Sequence, residues 1–82
     1  MGLESAIFTL ARLAEVEDAL LAIAEVMRTG ARKLHEHWRT FSTEHHLEHA
    51  RAHLQAFDAG DRSEDHLAHA PTRLLMALAT KA

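Results

Sequence analysis

Apolar side chains recur at steps of three and four from the start of the chain: Leu3, Ile7, Leu10 and Ala14, then Leu20, Ala24 and Met27. That is the period of one helix face. The spacing predicts a helix over residues 3–29, in one piece or broken near Ala14–Glu15, with an apolar arc wide enough for burial on more than one side. Gly30 fits the left-handed residue that ends a helix, with Arg28 favourable in the last turn. Residues 30–42 then read as a short basic turn. Ser42 or Thr43 can cap a second helix over 43–58, with Glu44 at its start and a seam of Leu47, Ala50, Leu54 and Phe57. Ala59–Gly60 closes it and opens an acidic turn over 59–65. Ser63 is the expected cap of a third helix, 64–80, whose buried stripe is Leu67, Ala70, Leu74 and Leu78. Pro71 removes the hydrogen bond to the Leu67 carbonyl, which predicts a kink or a fresh helix start.

The expected fold class is therefore all-α: one domain over 1–82 built as a small bundle of three to four helices. A chain of 82 residues buries only about 60–65% of its unfolded surface, so completion by oligomerisation is expected. Composition agrees. Sixteen Ala and twelve Leu outweigh four aromatic residues and few β-branched ones, which favours helix over sheet. Without cysteine there is neither a disulfide framework nor a thiolate zinc site, so any metal must be held by His and carboxylates. The longest uncharged apolar runs, 5–11 and 74–80, fall well short of the roughly 18 residues that span a bilayer. No basic region precedes the first apolar residues, so a soluble, cytoplasmic protein without membrane contact is expected. A net charge of −3 offers no general attraction for nucleic acid.

Histidine changes the picture. All eight imidazoles lie between His35 and His69. On a wheel of about 100° per residue, His45, His49, His53 and His46 span one arc of the second helix, next to its apolar seam. His49 and His53 are four apart and His66 and His69 three apart, spacings that let two imidazoles reach one ion or phosphate. If these helices pack antiparallel, the pairs meet over one cleft, whereas His35, His37 and His45 read as solvated. Asp61, Glu64 and Asp65 place three carboxylates within five residues, a set that hard cations prefer, although such residues also complement a helix dipole. Arg32, Lys33 and Arg39 surround Trp38, where an indole can stack a base while cations hold phosphates, or can simply fill a core.

Together these segments resemble a known family. Gly30-Ala31-Arg32-Lys33 followed by Trp38-Arg39 is similar to the G-A-K-K-Y…N-W-R stretch of a phage-associated dATP/dGTP diphosphohydrolase-like group, related to the all-α, MazG-like nucleoside triphosphate pyrophosphohydrolases. His53-Leu54…Phe57…Gly60-Asp61 resembles its R-H-L…W…G-E, and His66-Leu67-Ala68-His69-Ala70 its H-L-x-H-A. The resemblance covers about residues 15–80 in order. Leu34 stands where the family has tyrosine, Ala52 where it has arginine, and Pro71 interrupts a helix the family leaves continuous.

The resemblance implies an oligomeric helical bundle that uses Mg²⁺ or Mn²⁺ to cleave a nucleoside triphosphate such as dATP or dGTP between the α and β phosphates. Products are a nucleoside monophosphate and pyrophosphate. It carries metal binding to Asp61, Glu64 and Asp65, nucleotide binding to Lys33, Trp38, Arg39 and His53, and catalytic roles to Glu64, His66 and His69. Whether the chain is an active enzyme or an inactive nucleotide-binding relative stays open. The alternative is a small His-rich helical assembly protein that binds a transition metal or responds to pH.

Overall fold

The computed structural model describes Gly2, residues 11–34 and residues 37–82, without the side chains of 31–34. The expected helix start over 3–10 and His35 lie outside the described residues. Helical backbone at 11–14 meets a turn at 15–16. There the Glu15 and Val16 N–H groups donate three residues back, to the Arg12 and Leu13 carbonyls, at 3.2 and 3.1 Å. Helix α1 then spans Glu17–Leu34, with Glu17 and Asp18 in the first turn where the dipole favours anions.

Gly30 does not end α1. The helix continues four residues beyond it, and Gly30 has no positive φ. Ala22, Ile23, Val26, Met27 and Gly30 form one half-buried stripe at helical spacing. Continued backbone bonding and that stripe outweigh the roughly 1 kcal/mol that a mid-helix glycine costs. The basic turn is correspondingly shorter, reduced to a 3₁₀ turn at His37–Thr40.

Helix α2 spans Thr43–Asp58 and α3 spans His66–Thr80. Ser42 caps α2: its backbone is extended and its Oγ accepts from the His45 N–H at 3.0 Å. At the other end Gly60 takes φ 88°. The Gly60 N–H donates to Phe57 O and the Asp61 N–H to Ala56 O, both at 3.0 Å, which is a Schellman closure. Asp65, not the expected Ser63, caps α3 by accepting from the Ala68 N–H at 3.1 Å. The Ser63 N–H is instead drawn to Asp61 Oδ1 at 2.9 Å. The α3 helix runs on through Pro71. Leu67, whose carbonyl loses its partner there, is 55% exposed, so water can replace the missing donor.

The α2 and α3 helices form an antiparallel hairpin. Side chains meet as Thr43 with Thr80, His46 with Arg73 and His53 with His66, pairs that close in sequence toward the turn. The buried face of α3 is not the leucine stripe. Leu67, Leu74 and Leu78 are 55%, 48% and 61% exposed, while His66, Ala68, Ala70, Thr72, Met76 and Ala77 are buried. Small side chains let the two helices approach closely, and Thr72 satisfies its hydroxyl within the helix, on Ala68 O at 2.7 Å. On α2 the buried direction is likewise rotated from the leucines toward the histidines: His46 and Ala50 are buried and Leu54 is 45% exposed. Helix α1 lies against α3 across an open apolar cleft of about 280 Å³ lined by Ala19, Ala22, Ile23, Leu67, Ala68 and Pro71. No strand occurs among the described residues, and none of their helices is long and apolar enough to cross a membrane.

Two glycines test this backbone. A Cβ at either Gly30 or Gly60 meets nothing within 4 Å, so only backbone conformation separates them. Gly30→Ala should stabilise the fold by about 1 kcal/mol and Gly60→Ala should destabilise it by about 1 kcal/mol, read by urea unfolding. Equal effects of one sign would contradict the assigned helix ends.

Candidate functional site

The turn between α2 and α3 gathers the chemistry. Gly60 reverses the chain so that Asp61 faces back toward the start of α3. Its Oδ2 lies 3.0 Å from His66 Nε2 and its Oδ1 accepts from the Ser63 N–H. These hydrogen bonds, Ser63 first and His66 after it, lower the Asp61 carboxyl to about 2, so it is ionised at any ordinary pH. A carboxylate can only accept, so Nε2 of His66 carries a proton.

His66 is buried, and its other nitrogen, Nδ1, stands 2.8 Å from Nδ1 of His53 on α2. Exactly one proton fits between two ring nitrogens at that distance. Glu64, half exposed, completes the group: its Oε1 is 3.5 Å from His53 Nδ1 and 3.8 Å from His66 Nδ1. His69 lies beside His53, their ring centroids 5.0 Å apart and their planes tilted by 30°. Burial, then the neighbouring His69, holds the His53 imidazole below its ordinary value and so favours its neutral form.

Of the three carboxylates expected to hold a hard cation, only Glu64 belongs to a convergent donor set among the described residues, and its companions are His53 and His66. Asp61 orients His66, and Asp65 spends Oδ1 on the α3 cap. These residues therefore do not present the three-oxygen cage that suits Mg²⁺.

A second cluster sits roughly 10 Å further along α2, two helical turns away. His46, fully buried, places Nε2 2.8 Å from Trp38 O and Nδ1 3.1 Å from an Nη1 of Arg73. Arginine can only donate, so Nδ1 accepts and the imidazole proton lies on Nε2, donating to Trp38 O. Trp38 is half-buried and meets His46 edge-on, with ring centroids 6.2 Å apart. The Arg39 guanidinium stands 4.7 Å from the Trp38 ring centroid. The structure thus keeps Trp38 and Arg39 together but apart from His53, His66 and His69. Lys33 lies on the α1 backbone, and its side chain is outside the described residues.

Residues 6–82 match the family described as dATP/dGTP diphosphohydrolase, N-terminal. The chain belongs to this family. No curated protein and no solved structure matches it. The match to the dATP/dGTP diphosphohydrolase N-terminal family takes in both clusters, the Schellman turn and helices α1 to α3.

Two participants, His46 and Arg73, carry no assigned role in the sequence reading of this family member. His46 stood on the wheel at the edge of the seam, yet it is the most deeply buried histidine among the described residues. Its four-residue step to buried Ala50 was the available signal. Arg73 is half-buried and places a fixed cation near His46, His49 and His53, reinforcing their neutral forms after burial itself. His45, expected to be solvated, is half-buried and stacks on Phe41 with centroids 4.3 Å apart.

Burial first, and Arg73 with it, lowers the His46 imidazole, so the folded chain binds fewer protons there than the unfolded one. The resulting stabilisation is complete above the ordinary value of 6.5 and is lost as pH falls below it. The protein should therefore melt at a lower temperature at about pH 5.5 than at about pH 7.5. His46→Gln should melt lower at the higher pH and show a weaker pH dependence. The dependence shrinks rather than vanishes, because His49 and His53 shift the same way. An unchanged pH profile in His46→Gln would contradict a His46 imidazole held below its ordinary value.

Proposed function

We propose that the chain binds a deoxynucleoside triphosphate and supports its hydrolysis between the α and β phosphates, yielding a nucleoside monophosphate and pyrophosphate. The observation that carries this reading is the convergence of His53, Glu64, His66 and His69 on one side of the α2–α3 turn, in a chain whose family is that of the dATP/dGTP diphosphohydrolases. Cleavage of a phosphoanhydride is mostly a matter of positioning and charge, with one group needed to take a proton from water. His69, half-buried beside His53, is the imidazole we assign to that proton. Trp38 with Arg39, and Lys33 on α1, supply the aromatic face and the cations for base and phosphates. The Mg²⁺ or Mn²⁺ that such reactions use would neutralise the leaving pyrophosphate, and of the residues expected to hold it Glu64 is the one in the convergent set. The exposed Leu74, Leu75 and Leu78 support a homo-oligomer as the working form.

Incubation with dATP or dGTP and either cation tests the proposal. Pyrophosphate and the monophosphate should appear in equal amounts, and His69→Ala should slow their release by about 100-fold or more without lowering the melting temperature. Absence of both pyrophosphate release and nucleotide binding would overturn it.

A further inference from the structure

We propose that His53 Nδ1, His66 Nδ1 and Glu64 Oε1 form a binding site for a first-row transition-metal dication, with Zn²⁺ the best match, whether or not the chain hydrolyses a nucleotide. The three donor atoms stand 2.8, 3.5 and 3.8 Å from one another. Donors bound at roughly 2.0–2.1 Å in a tetrahedron lie about 3.3 Å apart, so the triangle already has the right size. Two imidazoles and one carboxylate suit Zn²⁺ and leave a fourth position for water or a phosphate oxygen.

The surroundings fit as well. Asp61 accepts from His66 Nε2 at 3.0 Å, the carboxylate–histidine arrangement that orients a metal-bound imidazole and raises its basicity. Among the described residues this is the one group of three His, Asp or Glu residues whose donor atoms gather so closely. Glu64 is half exposed and opens the cluster to solvent, while His66 is buried and fixes it to the hairpin. The proton between the two Nδ1 atoms is what a cation displaces. As each Nδ1 lone pair turns to the metal, that proton passes through solvent to Nε2 of His53, so both rings ligate as neutral imidazoles and the pair's proton count is unchanged.

The test is titration of the chelator-treated full chain, without nucleotide, with Zn²⁺ by calorimetry and with Co²⁺ by visible absorption. One equivalent should bind, Co²⁺ should give the absorption of a tetrahedral site, and the melting temperature should rise. Glu64→Ala, at a half-exposed turn position that the fold does not need, should weaken binding by about 100-fold, and His53→Ala by at least as much. Asp61→Asn should cost about 10- to 100-fold. His45→Ala should change nothing, although His45 and His49 are neighbours with centroids 4.4 Å apart. No binding, binding indifferent to both Glu64→Ala and His53→Ala, or binding lost in His45→Ala would overturn the assignment. Because nucleotide is absent throughout, a chain that fails to hydrolyse dATP or dGTP leaves this result standing.

Discussion

One hydrogen-bond chain, from the Asp61 carboxylate through the buried His66 ring to His53, holds the site and the turn that carries it. Each link depends on the one before. Gly60 adopts a backbone that a side chain would strain, the Schellman closure sets the direction of Asp61, and Asp61 decides which nitrogen of His66 carries its proton. His66 then presents its remaining nitrogen across the hairpin to α2. A buried imidazole without these partners would cost about 1–3 kcal/mol, so the same bonds that place the donors keep the turn folded.

Element types were legible from periodicity, and so were the caps that depend on short-range chemistry, Ser42 and the Ala59–Gly60 stop among them. What periodicity could not tell was which of two faces a helix turns inward. On α3 the leucines occupy one arc and Ala68, Ala70, Thr72 and Ala77 another, and both are apolar enough to be buried. The choice falls to the partner helix, whose His46 and His53 need polar neighbours that only the His66 and Arg73 side of α3 supplies. Gly30 misled for a related reason: a helix end is decided by what the next turn packs against, not by the glycine alone. The spacing of His66 and His69 puts both rings beside His53. The cluster's donor set did not follow from the acidic residues, because Asp61 and Asp65 are spent on local hydrogen bonds that sequence distance alone does not reveal.

The two clusters divide the labour of the hairpin. At one end an arginine meets a buried imidazole whose proton is committed to the Trp38 carbonyl, a rigid and wholly satisfied arrangement. At the other, a half-exposed glutamate faces two imidazoles that share one proton, an arrangement with a ligand position to offer. Burial and the Arg73 cation favour neutral imidazole along α2, and neutral imidazole is the form that binds cations and accepts protons. A member of the dATP/dGTP diphosphohydrolase N-terminal family thus carries a half-exposed His–Glu cluster at the turn end of its hairpin and a fully hydrogen-bonded one further along it.

The most direct measurement is nitrogen NMR of the imidazoles in the metal-free protein. The account requires a proton on His66 Nε2 and a single proton shared between the Nδ1 atoms of His53 and His66, seen as a coupling across that hydrogen bond. A His66 ring whose Nε2 carries no proton, or two Nδ1 atoms with no proton between them, would contradict it.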